Sequence, residues 1–383
     1  MDIMIRPGPL RGSIPAVPSK SHTHRLLIAA ALTDGDAQVL TGPVSDDIRA
    51  TERCLDHLYD PDPVLDCGES GSTLRFLLPV AMAVSGQASF HCSGRLPERP
   101  VSPLKEEMEA HGCSLTETSW GWRVTGPLRN GDFRLPGDVS SQYISGLLLA
   151  LPLISGDSSI EVTSPLQSAS YVDLTLDVLK KSGISVTRQG NTFRIEGGQN
   201  YLAPASVRPE GDWSNSSFWF AADLMDPQSD IVCTGLDENS IQGDKKIKEL
   251  LHSLPGIIDV SDTPDLVPPL AAAAAVTPGI TVLANAARLR LKESDRLTTT
   301  ARMLSSLGAD IEELSDGLRI SGRSTLRGGK VSGSGDHRII MAAAVTASAC
   351  DSPVTICGAE AVTKSYPSFF HDFSKLGGEA IEI

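Results

Sequence analysis

At 383 residues, 40% hydrophobic and 21% charged, the chain is too long for one ordinary core and too evenly mixed for a membrane protein, so two domains are expected. A formal net charge of −14 excludes nucleic acid or an anionic membrane as the main partner, and any anionic ligand must meet a local cluster of Arg and Lys. Seven cysteines form no C-x-x-C pair and make an odd number, which fits reduced thiols better than a disulfide framework or a zinc site. The start, Met1-Asp2-Ile3-Met4-Ile5-Arg6, lacks the layout of a signal peptide, and the apolar stretches at 147–154 and 266–276 are short or broken by Pro268-Pro269. A cytoplasmic location is therefore expected.

In chain order, Pro7-Gly8-Pro9 and Pro15 interrupt the first residues, which are expected to belong with the second half of the chain. Six segments then share one design, in which small polar or charged residues lead into a helix-length run of Ala and Leu. Ser19-Lys20-Ser21-His22-Thr23-His24-Arg25 precedes 26–32, and Gly68-Glu69-Ser70-Gly71-Ser72-Thr73-Leu74-Arg75 precedes 76–84. Gly121-Trp122-Arg123-Val124-Thr125 alternates as a strand does, and Val139-Ser140-Ser141-Gln142 precedes a helix over 143–153. A second helix over 172–182 stops at Gly183, a strand follows at 192–196, and 204–211, with Pro and Gly and no apolar period, reads as a linker. Gly211-Asp212-Trp213-Ser214 opens a helix over 215–224, Thr263-Pro264-Asp265 one over 266–276, and Ser334-Gly335-Asp336-His337-Arg338 one over 339–349; another, 295–307, stops at Gly308.

The spacing of these starts is regular. From Lys20 to Ser70 to Ser140 the steps are 50 and 70 residues, and from Asp212 to Asp265 to Asp336 they are 53 and 71. One three-part unit is thus used twice, which predicts six α/β units in two halves: 15–208, and 1–14 with 209–383. The Ala-rich helices lack a continuous polar face and should be buried all round. Taken singly, each start reads first as an ordinary N-cap, although its free N–H groups and partial positive charge also suit an anion. Basic residues at the same places (Lys20, Arg25, Arg75, Arg338) favour an anionic ligand. Arg95 and Arg99 bracket Leu96-Pro97-Glu98 in a proline-stiffened loop, and Ser140-Ser141-Gln142 offers a neutral cradle for phosphate. The run Arg288-Leu289-Arg290-Leu291-Lys292-Glu293-Ser294-Asp295-Arg296 is a solvated helix start or a binding cluster. A P-loop is excluded, because Ser19 stands where the glycine before Lys20 is required.

Pro18-Ser19-Lys20-Ser21, the 68–75 segment, Glu98-Arg99-Pro100, Val139-Ser140-Ser141-Gln142, Lys292-Glu293-Ser294-Asp295-Arg296, Asp336-His337-Arg338 and Lys364-Ser365-Tyr366-Pro367 occur in one order. In order and approximate spacing they resemble the 5-enolpyruvylshikimate-3-phosphate synthase family, from near residue 15 to the C-terminus. The resemblance implies an α/β protein of two similar domains, each three repeats of a βαβαββ unit (an inside-out α/β barrel), with the active site in the inter-domain cleft. It implies transfer of the enolpyruvyl group of phosphoenolpyruvate to the 5-hydroxyl of shikimate 3-phosphate by addition–elimination, in chorismate and aromatic amino acid biosynthesis.

Carried over by position, Asp265, Glu293 and Lys20 would be catalytic. Lys20, Ser21, Arg25, Ser140, Ser141, Gln142, Ser168, Tyr171, Asp265 and Lys292 would hold shikimate 3-phosphate. Lys20, Gly71, Arg99, Gln142, Arg296, Arg338 and Lys364 would hold phosphoenolpyruvate. No metal or cofactor is implied, the partners are the two small molecules alone, and a monomer is expected because one chain supplies both halves. The chain departs from the family at Glu69, where many relatives carry Asn, at Ser72-Thr73-Leu74 in place of Thr-Ala-Met, and at Arg288 in place of an Asn. The nearest rival is UDP-N-acetylglucosamine enolpyruvyl transfer, whose family places a reactive Cys where this chain has Gly94, with Cys92 two residues further away. The RNA 3′-phosphate cyclase group and a catalytically dead anion-binding relative are more distant alternatives.

Overall fold

A computed structural model describes residues 1–42 and 44–383. The chain divides into two compact units, one formed by Lys20–Pro209 and the other by Met1–Ser19 with Glu210–Ile383. Residues 15–19, assigned from sequence to the first half, stay with the other unit. The strand Arg11–Pro15 pairs there in parallel with Asp230–Thr234, and the Ser19 amide donates to the Glu210 carbonyl at 2.7 Å.

Both units repeat the same sheet. In the Lys20–Pro209 unit Val64–Asp66 lies parallel to Gln87–His91, which pairs antiparallel with Gly121–Thr125 and that in turn with Ser114–Thr118. Asp132–Leu135, Ser158–Val162, Thr192–Ile195 and Val186–Gln189 repeat the pattern. In the other unit Ile257–Asp259, Gly279–Ala284, Leu318–Gly322 and Asp310–Glu313 form one such sheet. Gly329–Ser332, Val354–Cys357, Asp2–Arg6 and Glu379–Glu382 form the last. The N-terminal strand thus sits inside a sheet whose other members come from the far end of the chain.

The six units are not equal. Four are complete, and the first of each half is reduced to a two-stranded parallel pair, Gln38–Val39 with Ser206–Val207 and Arg11–Pro15 with Asp230–Thr234. After the helices Asp46–Asp56 and Ile247–His252 the chain runs straight into the first strand of the next unit, with no β-hairpin between. The stretch 204–211 is also more than a linker, since Ser206–Val207 is half of one of these pairs.

Five of the helices begin earlier than their apolar runs suggest, Lys20–Ala31, Gly71–Val84, Ser141–Ala150, Trp213–Met225 and His337–Ser348, while Val267–Val276 starts where its run does, after a 3-10 turn over Pro264–Leu266. In those five the polar residues ahead of the Ala and Leu runs are therefore helical first turns, largely buried at the ends of their elements. Every residue of His337–Ser348 is buried. The helices Trp213–Met225, Val267–Val276 and His337–Ser348 pack pairwise, which small side chains permit at close range. In the other unit Gly71–Val84 crosses Ser141–Ala150 at Gly146, where an added Cβ would collide with the Arg75 carbonyl. Pro79 in the first helix has no N–H to offer that carbonyl, so the crossing sits where the helix ladder is already open.

Candidate active site

In the Lys20–Pro209 unit the polar side chains gather at helix starts. Ser70 Oγ accepts from the Thr73 amide and Ser140 Oγ from the Gln142 amide, each at 3.3 Å, so both are true N-caps. Gln142 faces two ways, accepting from Arg75 Nη1 at 3.1 Å and donating to Ser72 Oγ at 2.9 Å. Arg75 Nη2 and the Tyr143 hydroxyl both donate to the Pro100 carbonyl, at 3.0 and 2.6 Å, which fixes the chain directly after Arg99. Gly71 allows this packing: a Cβ there would lie 2.5 Å from Arg75 Nη1 and 2.6 Å from Arg99 Nη1. Two guanidiniums thus stand over the first turn of a helix, where anions are favoured.

Lys20 Nζ donates to Asp47 Oδ2 at 2.6 Å. Arg25 is turned inward at 2% exposure. Its donors reach Thr175 Oγ1 at 2.7 Å, the Ser21 carbonyl at 2.6 Å, the Tyr171 carbonyl at 2.9 Å and Ser145 Oγ at 3.3 Å. Burial pushes its pKa down to about 9. Arg25 therefore braces Ser21 and Tyr171 from behind. Ser168, 2% exposed, precedes the helix Ala169–Lys181 with φ of +54°, a left-handed conformation that a serine adopts at a cost and that recurs at ligand sites.

In the other unit one guanidinium organises the cluster. Arg296, with 1% side-chain exposure, donates to Asp336 Oδ2 at 2.9 Å and to Asp265 Oδ1 at 2.9 Å, and pairs with Glu293. Arg338 Nη2 reaches Asp265 Oδ2 at 3.2 Å and Lys292 Nζ lies 3.5 Å from Asp265 Oδ1. Asp336 also accepts from Ser294 Oγ at 2.9 Å and from the Arg338 amide at 3.0 Å, capping His337–Ser348. Arg288 donates to the Ser261 carbonyl at 2.7 Å and Lys364 to the Gly335 carbonyl at 2.8 Å.

Burial alone would raise the Asp265 carboxyl, but the Arg338, Lys292 and Arg296 cations override it and hold it far below the usual carboxylate range. Burial lowers the Lys292 ammonium against the pull of Asp265. It also works against the Arg296 cation, but Asp336, Glu293 and Asp265 more than offset this and leave it more firmly protonated than an ordinary arginine. Three carboxylates and three cations thus share one cluster of ion pairs. Among the described residues no group of three or more His, Cys, Asp or Glu side chains is arranged to hold a metal ion.

The structure thus gathers Lys20, Ser21, Arg25 and Tyr171, and separately Gly71, Arg99, Ser140, Ser141 and Gln142, in one unit. In the other it gathers Asp265, Lys292, Glu293, Arg296 and Arg338. Sequence reasoning missed Asp47, Ser145, Thr175 and the central part played by Asp336. Asp47 is the second residue of the helix Asp46–Asp56 and looks like any acidic first-turn residue; nothing in the sequence ties it to Lys20.

A sequence profile of the family described as EPSP synthase (3-phosphoshikimate 1-carboxyvinyltransferase) matches residues 5–62, 56–256 and 252–373. The 3-phosphoshikimate 1-carboxyvinyltransferase of Clostridium kluyveri is 40% identical over 423 residues, covering 99% of this chain and 98% of its own. That of Clostridium acetobutylicum is 38% identical with the same coverage. Among solved structures, EPSP synthase from Acinetobacter baumannii covers 100% of both chains with a TM-score of 0.81 at 24% identity. The enolpyruvyl transferase NikO from Streptomyces tendae covers 99% of this chain and 98% of its own, with a TM-score of 0.78 at 17% identity. At these identities the likeness is one of fold.

Proposed function

The chain belongs to the EPSP synthase family, and from that premise we propose how its two clusters transfer the enolpyruvyl group of phosphoenolpyruvate to the 5-hydroxyl of shikimate 3-phosphate. The observation that carries the proposal is the Asp265–Arg296–Arg338–Lys292 cluster with Glu293 beside it. It holds a proton acceptor, a second carboxylate and anion-binding cations within hydrogen-bonding reach of one another.

Ser21, Ser140, Ser141, Gln142, Ser168 and Tyr171 serve the shikimate phosphate and ring, with Arg25 acting through Ser21 and Tyr171. Lys20, Gly71, Arg99, Gln142, Arg338 and Lys364 serve phosphoenolpyruvate. Arg296 is the frame of its cluster, because any contact with substrate requires it to exchange one of its carboxylates. Asp265, pinned as an anion by three cations, is a poor base as it stands. Substrate carboxylate and phosphate compete for Arg338 and Lys292, which lets the Asp265 carboxyl climb toward the range where it accepts the 5-hydroxyl proton. That hydroxyl oxygen adds to C2 while C3 takes a proton by way of Glu293. Return of the C3 proton and loss of phosphate complete the transfer. Arg suits the bidentate contacts to carboxylate and phosphate, and Lys20 acts as a point charge.

Shikimate 3-phosphate is favoured over a nucleotide sugar by position 94. Gly94, in place of the rival family's reactive cysteine, has φ of +54°, a left-handed conformation that a cysteine would adopt at a cost, and a Cβ there would require the Glu69 side chain to move. A cytoplasmic location belongs to the same proposal, supported by seven free cysteines, and so does a monomer, since one chain carries all the residues assigned above; among the described residues no helix is long and apolar enough to cross a membrane. The test is phosphate release from purified protein mixed with phosphoenolpyruvate and each acceptor in turn. Release with shikimate 3-phosphate alone is the expected result; release with UDP-N-acetylglucosamine instead overturns the acceptor, and release with neither overturns the reaction.

A further inference from the structure

Lys20 opens the helix Lys20–Ala31, so its backbone is fixed while a flexible four-carbon stem carries its ammonium. Such a group acts in a reaction only when something sets its direction. Asp47 is placed to do so: its Oδ2 accepts from Lys20 Nζ at 2.6 Å, and the two side chains keep 12% and 16% exposure. The pair is therefore neither a solvated surface bridge nor a sealed structural one. Substrate can still reach the ammonium.

Asp47 is itself held from below. Its carbonyl lies 3.4 Å from Thr73 Oγ1 and 3.5 Å from Thr51 Oγ1. Those two hydroxyls share a hydrogen bond of 2.7 Å, Thr51 shares another of 2.7 Å with His24 Nδ1, and Thr73 donates to Ser70 Oγ at 2.7 Å. His24, Thr51, Thr73 and Ser70 are each no more than 1% exposed. The chain closes on itself. His24 lies one turn beyond Lys20 on the same helix, Thr51 one turn beyond Asp47, and Ser70 caps the helix Gly71–Val84. Burial, with Lys20 and Arg25 nearby, holds His24 well below its ordinary pKa. It is thus neutral and does not compete for the Asp47 carboxylate. A buried hydrogen-bonded network of this kind rigidifies the elements it joins, although His24 Nε2, at its end, has no hydrogen-bond partner among the described residues.

We propose that Asp47 is a positioning residue for the reaction: it sets the aim of the Lys20 ammonium, and the buried His24–Thr51–Thr73–Ser70 chain ties that aim to the helix start at Gly71. The idea rests on the assignment of Lys20 to the reaction made above. Asp47 does not itself meet the reacting atoms. Its removal leaves the Lys20 charge in place and takes away a competing carboxylate, so ground-state attraction for phosphoenolpyruvate survives while alignment is lost.

Steady-state phosphate release by Asp47→Asn, Asp47→Glu, Lys20→Ala and the Lys20→Ala/Asp47→Asn double variant tests this. Asp47→Asn lowers kcat by about 10–100-fold, the scale on which a misaimed group costs rate, with KM for phosphoenolpyruvate unchanged or lower. Asp47→Glu recovers part of the loss, and in the Lys20→Ala background Asp47→Asn costs less than about twofold, as sites acting as one unit require. Should Asp47→Asn fold poorly, the buried chain gives a second route: Thr51→Val lowers kcat at constant KM and Thr51→Ser restores it. An Asp47→Asn enzyme with normal kcat, a loss confined to KM, or an equal loss with and without Lys20 overturns the role. An inactive wild type overturns the reaction and this role together, whereas an active wild type with an unaffected Asp47→Asn counts against Asp47 alone.

Discussion

Replacing Asp336 by Asn removes one charge from the centre of the Arg296 cluster while keeping the shape of the side chain. Asp336 has 0% side-chain exposure, and its two oxygens accept from Arg296 Nε at 2.9 Å, Arg296 Nη2 at 3.2 Å, Ser294 Oγ at 2.9 Å and the Arg338 amide at 3.0 Å. An asparagine retains one acceptor and turns an amide donor against donors. Two hydrogen bonds to a buried cation, at about 1.5–3 kcal/mol each, are weakened. Asp265 and Glu293 still neutralise Arg296, so the expected loss is about 3 kcal/mol, the lower end for breaking a buried pair. In a domain of this size that lowers the melting temperature by about 6–12 °C. Asp336→Ala, which also removes the N-cap, should cost about 1 kcal/mol more. Urea and thermal unfolding of both variants provide the measurement. A melting point within about a degree of the wild type would show that Asp336 does not organise Arg296 and would refute the reasoning.

Three further expectations follow from other parts of the molecule. His24 is buried and held neutral by burial and by the nearby Lys20 and Arg25; the unfolded chain alone takes up its proton below about pH 6.5, so stability falls by up to about 1.4 kcal/mol per pH unit there. His24→Gln should flatten that slope in urea titrations run from pH 7 to 5, and an unchanged slope would assign it to other groups. Glu293→Gln should cut turnover by at least about a hundredfold while leaving substrate binding near normal; turnover equal to the wild type removes Glu293 from the proton path. Gly71→Ala inserts a methyl where the Arg75 and Arg99 guanidiniums stand, and about a tenfold rise in KM for phosphoenolpyruvate is expected, against which an unaltered KM would count.

Much of this architecture was legible before any coordinates. The six helix starts showed through their caps and Ala-rich runs because local propensity and burial act on the same residues there. The unequal steps carried more than was read from them. Steps of 70 and 71 residues span complete units and steps of 50 and 53 span units that lack the closing hairpin, so the shortfall was written in the spacing. The early helix onsets were hidden because Ser, His and Thr in first turns look like loop residues until buried partners pair with them. Individual motif residues were visible, whereas their mutual placement was not. Nothing in sequence distinguishes an Arg25 that points at substrate from one committed to Ser21, Tyr171, Ser145 and Thr175. Asp47 and Asp336 take their importance from contacts 27 and 40 residues away, and such pairings leave no periodic mark.

The strand Asp2–Arg6, held between Val354–Cys357 and Glu379–Glu382, sets the order in which the protein is assembled during translation. Its partners are made long after it, so the unit containing it must wait for them with one strand's amides unclaimed. Lys20–Pro209 needs nothing made after Pro209 and can condense as it emerges. The nascent protein therefore passes through a half-built stage in which an early strand is a guest without a host, and loss of Glu379–Glu382 would leave it paired along one edge alone.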